Sequence, residues 1–275
     1  MAEVQKWIGE DMKGDRLETA SRALRDDFAR HHAVLRRATP LEYVQSLGLA
    51  VAVALLIRAF LIEALKIPTG SMIPTLQVGD HIFVNKFSYG LRIPFTHTRI
   101  VDFGGPERGD IVVFEFPGEG EDKGKDFIKR VVAVAGDRIR LADNRLLVNG
   151  TPIAVEVTDS NSPCEDATFT GCRCVRQEET LGSTRFVTQH LAPSETGGCI
   201  NNPDWPSEDP RQYGNPAQNP SFPDVIVPEG HVFAMGDNRD NSSDGRYWGF
   251  VPIENLKGKA LFVWWPPGRW FRAVH

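Results

Sequence analysis

The chain has 275 residues, enough for one large or two small domains with a hydrophobic core. Its 31 basic and 36 acidic side chains leave a net charge of −5, which gives no general case for nucleic-acid binding. The nucleotide-binding patterns G-x-G-x-x-G and P-loop and the zincin pattern H-E-x-x-H do not occur in the sequence. We therefore expect no cofactor and no metal.

Residues 1–43 are polar and rich in both charges. Apolar side chains at helical spacing predict an amphipathic helix over roughly 16–37, with a solvated tail as the alternative. The side chains that carry this pattern are Leu17, Ala20, Leu24, Phe28 and Leu35.

Residues 44–65 form the one long apolar segment, uninterrupted from 47 to 57. As a helix this segment reaches about 33 Å, which spans the hydrocarbon core of a bilayer. A buried core helix is the alternative. The run begins far from the N-terminus and no small-x-small site follows it, so we expect an uncleaved signal anchor.

Basic residues set the expected orientation of this anchor. Arg25, Arg30, Arg36 and Arg37 precede the segment, whereas Lys66 alone follows it closely. By the positive-inside rule the N-terminal segment is cytoplasmic and the remainder of the chain lies outside.

The remainder is predicted to be mainly β, with an antiparallel domain formed by residues 66–156 and 229–275. The 25 glycines and 19 prolines favour short strands separated by turns. Asn149-Gly150 is typical of a hairpin turn. The candidate strands are 81–87, 110–116, 127–134, 138–141, 145–148, 231–235 and 259–265.

Residues 157–228, here called the insertion, are rich in proline and contain all four cysteines. We expect the insertion to run over the surface, tied by one or two disulfides on the oxidising side of the membrane. The pairing stays open, and the spacing does not match usual zinc sites. The disulfide candidates are Cys164, Cys172, Cys174 and Cys199.

A serine lies in an unusual stretch, I-P-T-G-S-M-I-P-T-L, at residues 67–76. Pro68 and Pro74 fix φ at their own positions and bias the residues before them towards extended backbone. Ser71 is therefore expected on a stiff, non-helical segment, either as a nucleophile or as part of a plain loop that leaves the membrane helix.

Lys129 lies in the strand pattern F-I-K-R-V-V-A-V. Strand alternation places it on one face with Phe127, Val131 and Ala133, although a lysine in a strand ordinarily points to solvent. If the ammonium group is buried, its pKa falls towards neutrality, and neutral lysine can accept the proton of a serine hydroxyl.

Residues 230–249 hold a run dense in Asp, Asn and Ser. A calcium loop is disfavoured, because the twelfth position is Val251 instead of glutamate. The alternatives are a solvated turn and a hydrogen-bonded platform in which Asp244 pairs with Arg246 and Ser242 orients a neighbouring group.

A Ser-His-Asp triad is the obvious rival, since His81 and His231 lie near these stretches. The surroundings of Ser71 are not the G-x-S-x-G elbow, however, and the fold expected here is not α/β. A Ser–Lys pair is a known variant of the same chemistry.

Taken together, the anchor, I-P-T-G-S-M-I-P-T-L, G-D-H-I-F-V-N-K-F-S-Y-G, F-I-K-R-V-V-A-V-A-G-D and G-D-N-R-D-N-S-S-D-G-R-Y-W-G resemble type I signal peptidase. The resemblance covers roughly 45–150 and 229–265. It implies that Ser71 is the nucleophile and Lys129 the general base. Thr69 and the Ser71 N–H would form the oxyanion hole, with support from Gly236, Ser242, Asp244 and Arg246.

The resemblance further implies a membrane-bound serine endopeptidase that removes signal peptides after small-x-small sites through an acyl-enzyme. It implies a single-pass protein of the bacterial cytoplasmic (inner) membrane, whose partners are signal peptides and membrane lipid, with neither nucleic acid nor metal. Pocket walls would be Leu65, Ile67, Pro68, Met72, Leu76, Ile82, Phe127 and Ile128.

The chain departs from the family pattern in three ways. Thr69 stands where many members carry serine, the insertion is not covered, and one membrane segment is found where others can have two. Two alternatives remain at this point: an inactive, membrane-tethered β-domain that binds secretory proteins, and a self-cleaving Ser–Lys regulator.

Overall fold

A computed structural model describes residues 15–34, 39–92, 99–142, 145–192, 199 and 225–274. The chain divides into two units, Met1–Leu55 and Leu56–His275. The described residues of the first unit are almost all helical, and the second unit holds the described β-strands.

Two long helices come first, α1 (Asp15–Val34) and α2 (Pro40–Phe60). Helix α1 confirms the helix predicted over roughly 16–37, whose residue Leu35 lies outside the described residues. Helix α2 begins with a capping box: the Glu42 N–H donates to Thr39 Oγ1 (3.3 Å) and the Thr39 N–H donates to Glu42 Oε2 (2.6 Å). Pro40 takes the first helical position, where its missing N–H costs nothing.

Helix α2 is long and apolar enough to cross a membrane. Its bounds differ from the predicted 44–65. It begins earlier, at the cap, and it ends at Phe60 because the residues after it pair as a strand. In place of further helix, the Lys86 N–H donates to Leu61 O (2.9 Å) and Ile62–Lys66 pairs with His81–Asn85.

The described strands carry most of the second unit and confirm a mainly β, antiparallel architecture. Their bounds are β1 Ile62–Lys66, β2 His81–Asn85, β3 Gly90–Arg92, β4 Arg99–Asp102, β5 Ile111–Glu115, β6 Asp126–Val134, β7 Arg138–Ala142, β8 Arg145–Val148, β9 Thr151–Pro152, β10 Ala154–Pro163, β11 Arg173–Leu181, β12 Thr184–Leu191, β13 Val225–Ile226, β14 His231–Met235, β15 Val251–Pro252, β16 Leu256–Trp265 and β17 Arg272–Ala273. A short helix, α3 (Gly245–Trp248), follows β14.

The main sheet has the order β1-β2-β16-β5-β6-β14-β15, with β17 on β16. Strands β13-β7-β8-β9 form a second sheet, and β3-β4 form a ribbon. The predicted hairpin turn is present between β8 and β9, where Asn149 and Gly150 have φ of 54° and 77°. Asparagine and glycine tolerate this left-handed conformation better than other residues, which explains the dipeptide at that position.

Apolar side chains cover both faces of the main sheet near β6. Val131 packs in one hydrophobic cluster, while Val132 and Ala133 pack in another. Strand β6 is therefore buried continuously from Ile128 to Ala133, without the alternation of a half-exposed strand. A lysine on this strand is buried whichever face it occupies.

The insertion does not simply run over the surface, so that prediction was wrong. Strands β10, β11 and β12 form a three-stranded sheet that begins before residue 157. Leu181 and Phe186 of this sheet are buried in the same cluster as Val132 and Phe233 of the main sheet. The prediction failed because Leu181 and Phe186 lie on the same face of β11 and β12 and pack into the core, although the insertion has few apolar side chains.

Two disulfides tie the insertion, Cys164–Cys174 and Cys172–Cys199. This confirms the expectation of one or two disulfides and chooses one of the three complete pairings that the sequence left open. Most of the chain from 193 to 224 lies outside the described residues.

A buried ion pair also joins the insertion to the main domain. Glu179 of β11 accepts from Arg239 Nη2 at 2.7 Å, and both side chains are buried. The Thr188 hydroxyl donates to the second oxygen of Glu179 (3.0 Å), so the carboxylate is satisfied within the fold.

We expect Glu179→Ala to lower the free energy of unfolding by about 3–5 kcal/mol, because Arg239 then remains buried without its partner. The neighbouring Glu178→Ala is the matched control, since the ion-pair partner of Glu178 within the described part of the chain is the exposed Arg185, at 3.4 Å. Its cost should be about 1 kcal/mol or less. Denaturant unfolding of the full chain in detergent measures both, and equal costs would show that the ion pair does not hold the insertion in place.

Candidate active site

Residues 69–77, here called the serine turn, lie between β1 and β2. The Ile73 N–H donates to Gly70 O (3.1 Å) and the Leu76 N–H donates to Met72 O (2.9 Å), so the turn closes on itself. The side chains of Met72 and Leu76 are fully buried in the core. Ser71 is thus held on a stiff, non-helical segment, as the two prolines predicted.

Lys129 meets this serine from the centre of the main sheet. Its Nζ lies 2.6 Å from Ser71 Oγ, although 58 positions separate the two residues in the chain. Lys129 is 4% exposed and Ser71 is 8% exposed. The Phe127 ring, whose centroid is 5.5 Å from Nζ, covers the amine from the same face of β6.

Burial lowers the pKa of Lys129 from 10.5 to about 8. The nearby charges act in both directions: Asp244 and Asp237 raise the pKa, whereas Arg246 lowers it. Desolvation is the largest of these effects, because the charged ammonium loses its hydration shell inside the sheet. The neutral amine is therefore abundant just above neutral pH and can accept a proton from Ser71.

The segment after β14 carries the predicted pair of Asp244 and Arg246. Arg246 donates two hydrogen bonds to the carboxylate, at 2.8 and 2.9 Å, and the Gly236 N–H donates a third, at 2.9 Å. Burial alone would raise the pKa of Asp244, but Arg246 and the Gly236 N–H outweigh it and lower the pKa. The pair stays charged and fixes the segment beside Lys129.

Gly236 lies where no side chain fits. A Cβ at this position would lie 2.2 Å from Ser242 Oγ and 2.5 Å from Ser71 O. The backbone directly after β14 can approach the serine turn this closely only because residue 236 is glycine.

Ser242 does not make the hydrogen bond to Lys129 that its predicted orienting role would require. Its buried hydroxyl has no hydrogen-bond partner among the described residues. The physical reason is the placement of the hydroxyl beside Gly236, while Lys129 directs Nζ to Ser71.

Sequence reasoning missed a second buried ion pair in the site. Arg130 donates two hydrogen bonds to Asp237, each at 2.8 Å, and the Thr75 hydroxyl donates to the same carboxylate (2.5 Å). The signal was available: the two opposite charges directly follow Lys129 and Gly236 in the two candidate stretches.

A family model described as "Signal peptidase, peptidase S26" matches residues 40–265. The chain belongs to this signal peptidase family. The family model covers the serine turn, β6 and the segment after β14 in a single match, so the residues brought together here lie within it. As a family member the protein is a serine endopeptidase, and α2 is the candidate for the anchor found in this membrane-anchored family.

Individual relatives of this chain are also signal peptidases. Signal peptidase I of Pseudomonas fluorescens is 38% identical over 240 residues, which cover 82% of this chain and 73% of that protein. Signal peptidase I of Pseudomonas aeruginosa is 39% identical over 238 residues, with the same coverage of 82% and 73%. A solved signal peptidase I from Enterococcus faecalis V583 is 22% identical and covers 57% of this chain and 97% of that one, but its TM-score of 0.30 is too low to carry an argument.

The predicted pocket walls of this signal peptidase family member divide into two groups. Five are buried in one core cluster: Ile67, Met72, Leu76, Ile82 and Ile128. Leu65 and Phe127 are half-buried, and Pro68 is exposed. Thr69, predicted for the oxyanion hole, is exposed two positions before Ser71. The second group and Thr69 are thus at least partly accessible to solvent, whereas the five core residues are enclosed by packing.

We expect Lys129→Met to stabilise the protein at pH 7 while abolishing cleavage. A lysine whose pKa falls from 10.5 to about 8 costs about 3 kcal/mol of stability when it is protonated in the folded state. This cost is fully present below pH 8, shrinks as the pH rises from 8 to 10.5, and is absent above that range.

Thermal unfolding of both proteins in detergent at pH 7 and pH 10.5 tests this sign. The advantage of Lys129→Met should be largest at pH 7 and nearly gone at pH 10.5. Lys125→Met, at an exposed position, is the control and should show no such trend. A difference that does not depend on pH would contradict the burial argument.

Proposed function

We propose that the protein cleaves N-terminal signal peptides from exported preproteins, with Ser71 as nucleophile and Lys129 as general base. The observation that carries the proposal is the 2.6 Å distance between Lys129 Nζ and Ser71 Oγ, inside a site where burial lowers the lysine pKa to about 8. The names of the relatives, signal peptidase I, support the substrate class.

The reaction follows from this geometry. Neutral Lys129 takes the proton of Ser71 as Oγ attacks the scissile carbonyl carbon, and the carbonyl oxygen becomes an oxyanion. When the oxyanion collapses, the C–N bond breaks and Lys129 returns the proton to the leaving amine. An ester between Ser71 and the signal peptide remains, and water activated by Lys129 hydrolyses it. Neither a metal nor a cofactor enters these steps.

The oxyanion hole is assigned to the Ser71 N–H and the Thr69 hydroxyl. Both belong to the serine turn, and the exposed Thr69 hydroxyl is free to face an incoming carbonyl. A donor of this kind contributes about 3–4 kcal/mol to stabilisation of the transition state in comparable sites. Threonine keeps the hydroxyl of serine but is stiffer about χ1.

The supporting residues act on Lys129 through charge and backbone. Asp244 and Arg246 lie close enough to shift its pKa in opposite directions, and Gly236 lets the segment after β14 reach the serine turn. Ser242 has an unpartnered, buried hydroxyl beside Gly236 among the described residues. In this proposal that hydroxyl turns to Lys129 when Ser71 transfers its proton.

Specificity is assigned to small apolar subsites that accept small-x-small sequences. Leu65, Pro68 and Phe127 are accessible and form the contact surface in this proposal. The buried set defined above shapes that surface from behind: Ile67, Met72, Leu76, Ile82 and Ile128. Small residues fit where bulky core side chains leave little depth.

We place the protein in the bacterial cytoplasmic membrane, with α2 as a single-pass anchor and the N-terminus in the cytoplasm. The arginines before α2 support this orientation by the positive-inside rule. The two disulfides support an oxidising, extracytoplasmic location for the β-domain. Signal peptides and lipid are then the partners, because both are present at that membrane surface.

A cleavage assay tests the dyad directly. The full chain in detergent should cut a preprotein with an A-x-A site after that site, whereas Ser71→Ala and Lys129→Ala should each lose at least about 10³-fold in kcat/KM. The control is Lys125→Ala, which replaces an exposed lysine directly before β6 and should match wild type. Cleavage that survives Lys129→Ala would exclude lysine as the base.

The pH dependence provides a second test. Only neutral Lys129 accepts the proton, so kcat/KM should rise with pH and level off above an apparent pKa of about 8. Asp244 raises the lysine pKa, so Asp244→Asn should move this rise to lower pH. A profile that is flat from pH 6 to 10, or that rises only near the pKa of free lysine, would contradict the proposal.

A further inference from the structure

The insertion reaches the serine turn through two neighbouring carboxylates, and one of them, Asp166, lies beside Gly70 and therefore close to Ser71. We infer that Asp166 is a positioning residue: it fixes Asn238, and Asn238 in turn fixes the backbone on both sides of Ser71. This inference rests on the proposed role of Ser71 as the nucleophile.

Asn238 holds the two peptide units that flank Ser71. Its side-chain Nδ2 donates to Gly70 O (3.0 Å), and its backbone N–H donates to Ser71 O (3.1 Å). These two carbonyls belong to the peptide bonds immediately before and after the serine. Rotation of the Asn238 side chain would therefore free the peptide unit before Ser71, and Ser71 Oγ would no longer be held in one direction.

Asp166 fixes the Asn238 side chain in turn. Its Oδ2 accepts from Asn238 Nδ2 (2.7 Å) and from Asn241 Nδ2 (2.6 Å), and its Oδ1 accepts from the Thr168 N–H (2.9 Å). A Cβ at residue 70 would lie 2.9 Å from the same Oδ2, so the carboxylate lies directly against the serine turn. Burial by itself raises the pKa of Asp166, but the donated hydrogen bonds outweigh it and lower the pKa, so the group is ionised.

The loop that carries Asp166 is itself held firmly. The disulfide Cys164–Cys174 closes it, and Cys172–Cys199 ties it to the rest of the insertion. The neighbouring Glu165 accepts a hydrogen bond from Gln77, at the far end of the serine turn, and pairs with Arg176 of β11. Glu165 and Asp166 thus contact the serine turn at both of its ends.

The position calls for a carboxylate rather than an amide. Both oxygens of Asp166 face N–H donors, two at Oδ2 and one at Oδ1. An asparagine offers one oxygen and one NH₂ group, so either orientation sets a donor against a donor. The isosteric change Asp166→Asn therefore disturbs the network without removing volume.

The experiment compares Asp166→Asn with Asp159→Asn in the full chain, in detergent, on a preprotein with an A-x-A site. Asp159 is the matched control, an exposed aspartate of the same insertion whose side chain accepts from the nearby Asn161 N–H (3.0 Å). We expect Asp166→Asn to lower kcat by about 10- to 100-fold, because small displacements of a nucleophile cost rates of this size. KM should stay within about twofold, and the rise of activity with pH should stay where it is in wild type. Asp159→Asn should match wild type.

Asn241→Ala is a second variant that removes one donor to Asp166 at a half-buried position. It should lower kcat by a few-fold, which is less than Asp166→Asn and more than Asp159→Asn. If Asp166→Asn fails to fold, Asn241→Ala provides the test of the positioning role. Thermal unfolding of each variant shows whether it is folded at the assay temperature.

The outcomes separate this inference from the proposed function. If Ser71→Ala cleaves as well as wild type, the proposed nucleophile is wrong. If Ser71→Ala is inactive but Asp166→Asn, or in its place Asn241→Ala, retains wild-type kcat, the positioning role of Asp166 is wrong. If Asp166→Asn raises KM without lowering kcat, the positioning role is wrong and Asp166 contacts the substrate. If Asp166→Asn shifts the pH profile, the positioning role is wrong and Asp166 acts directly on Lys129.

Discussion

The burial of one amine beside one hydroxyl is the constraint on which the rest of the site depends. Lys129 extends from β6, an interior strand of the main sheet with apolar side chains over both faces, and its Nζ lies 2.6 Å from Ser71 Oγ. The same burial lowers the lysine pKa to about 8, so the neutral amine that our proposal requires as a base is available near neutral pH. Burial of this lysine therefore lowers the free energy of unfolding at neutral pH, and packing of the surrounding core has to compensate for that cost.

Charged groups around the dyad are arranged so that they satisfy one another. Arg130 binds Asp237, and Arg246 binds Asp244, so two buried carboxylates already have guanidinium partners. This arrangement matters for Lys129, because a nearby unpaired carboxylate would hold the amine in its charged form. The Arg130–Asp237 pair, together with the Thr75 hydroxyl, also joins β6, the serine turn and the segment after β14, which are far apart in the chain.

The insertion is joined to the rest of the domain by several kinds of contact. Its sheet shares a hydrophobic cluster with the main sheet and pairs Glu179 with Arg239, and its disulfide-tied loop places Asp166 against the serine turn. A segment that carries few apolar side chains is thus integrated by two buried side chains, two disulfides and polar contacts. The cysteines indicated the disulfides, but composition gave no sign of the polar contacts, because these depend on geometry.

Periodic and local features could be predicted from the amino-acid sequence. Turn residues bounded the strands, the apolar run located a membrane-length helix, the Asn149-Gly150 hairpin was visible, and the motif stretches singled out Ser71, Lys129, Asp244 and Arg246. The tertiary structure decided what depends on pairing between distant segments. It ended α2 at Phe60 by drawing the next residues into β1, it chose the disulfide pairing, it buried both faces of β6, and it assigned most predicted pocket residues to the core. The physical reason is that strand pairing, disulfides and buried ion pairs are contacts between residues far apart in the chain, and local spacing carries no record of which segments meet.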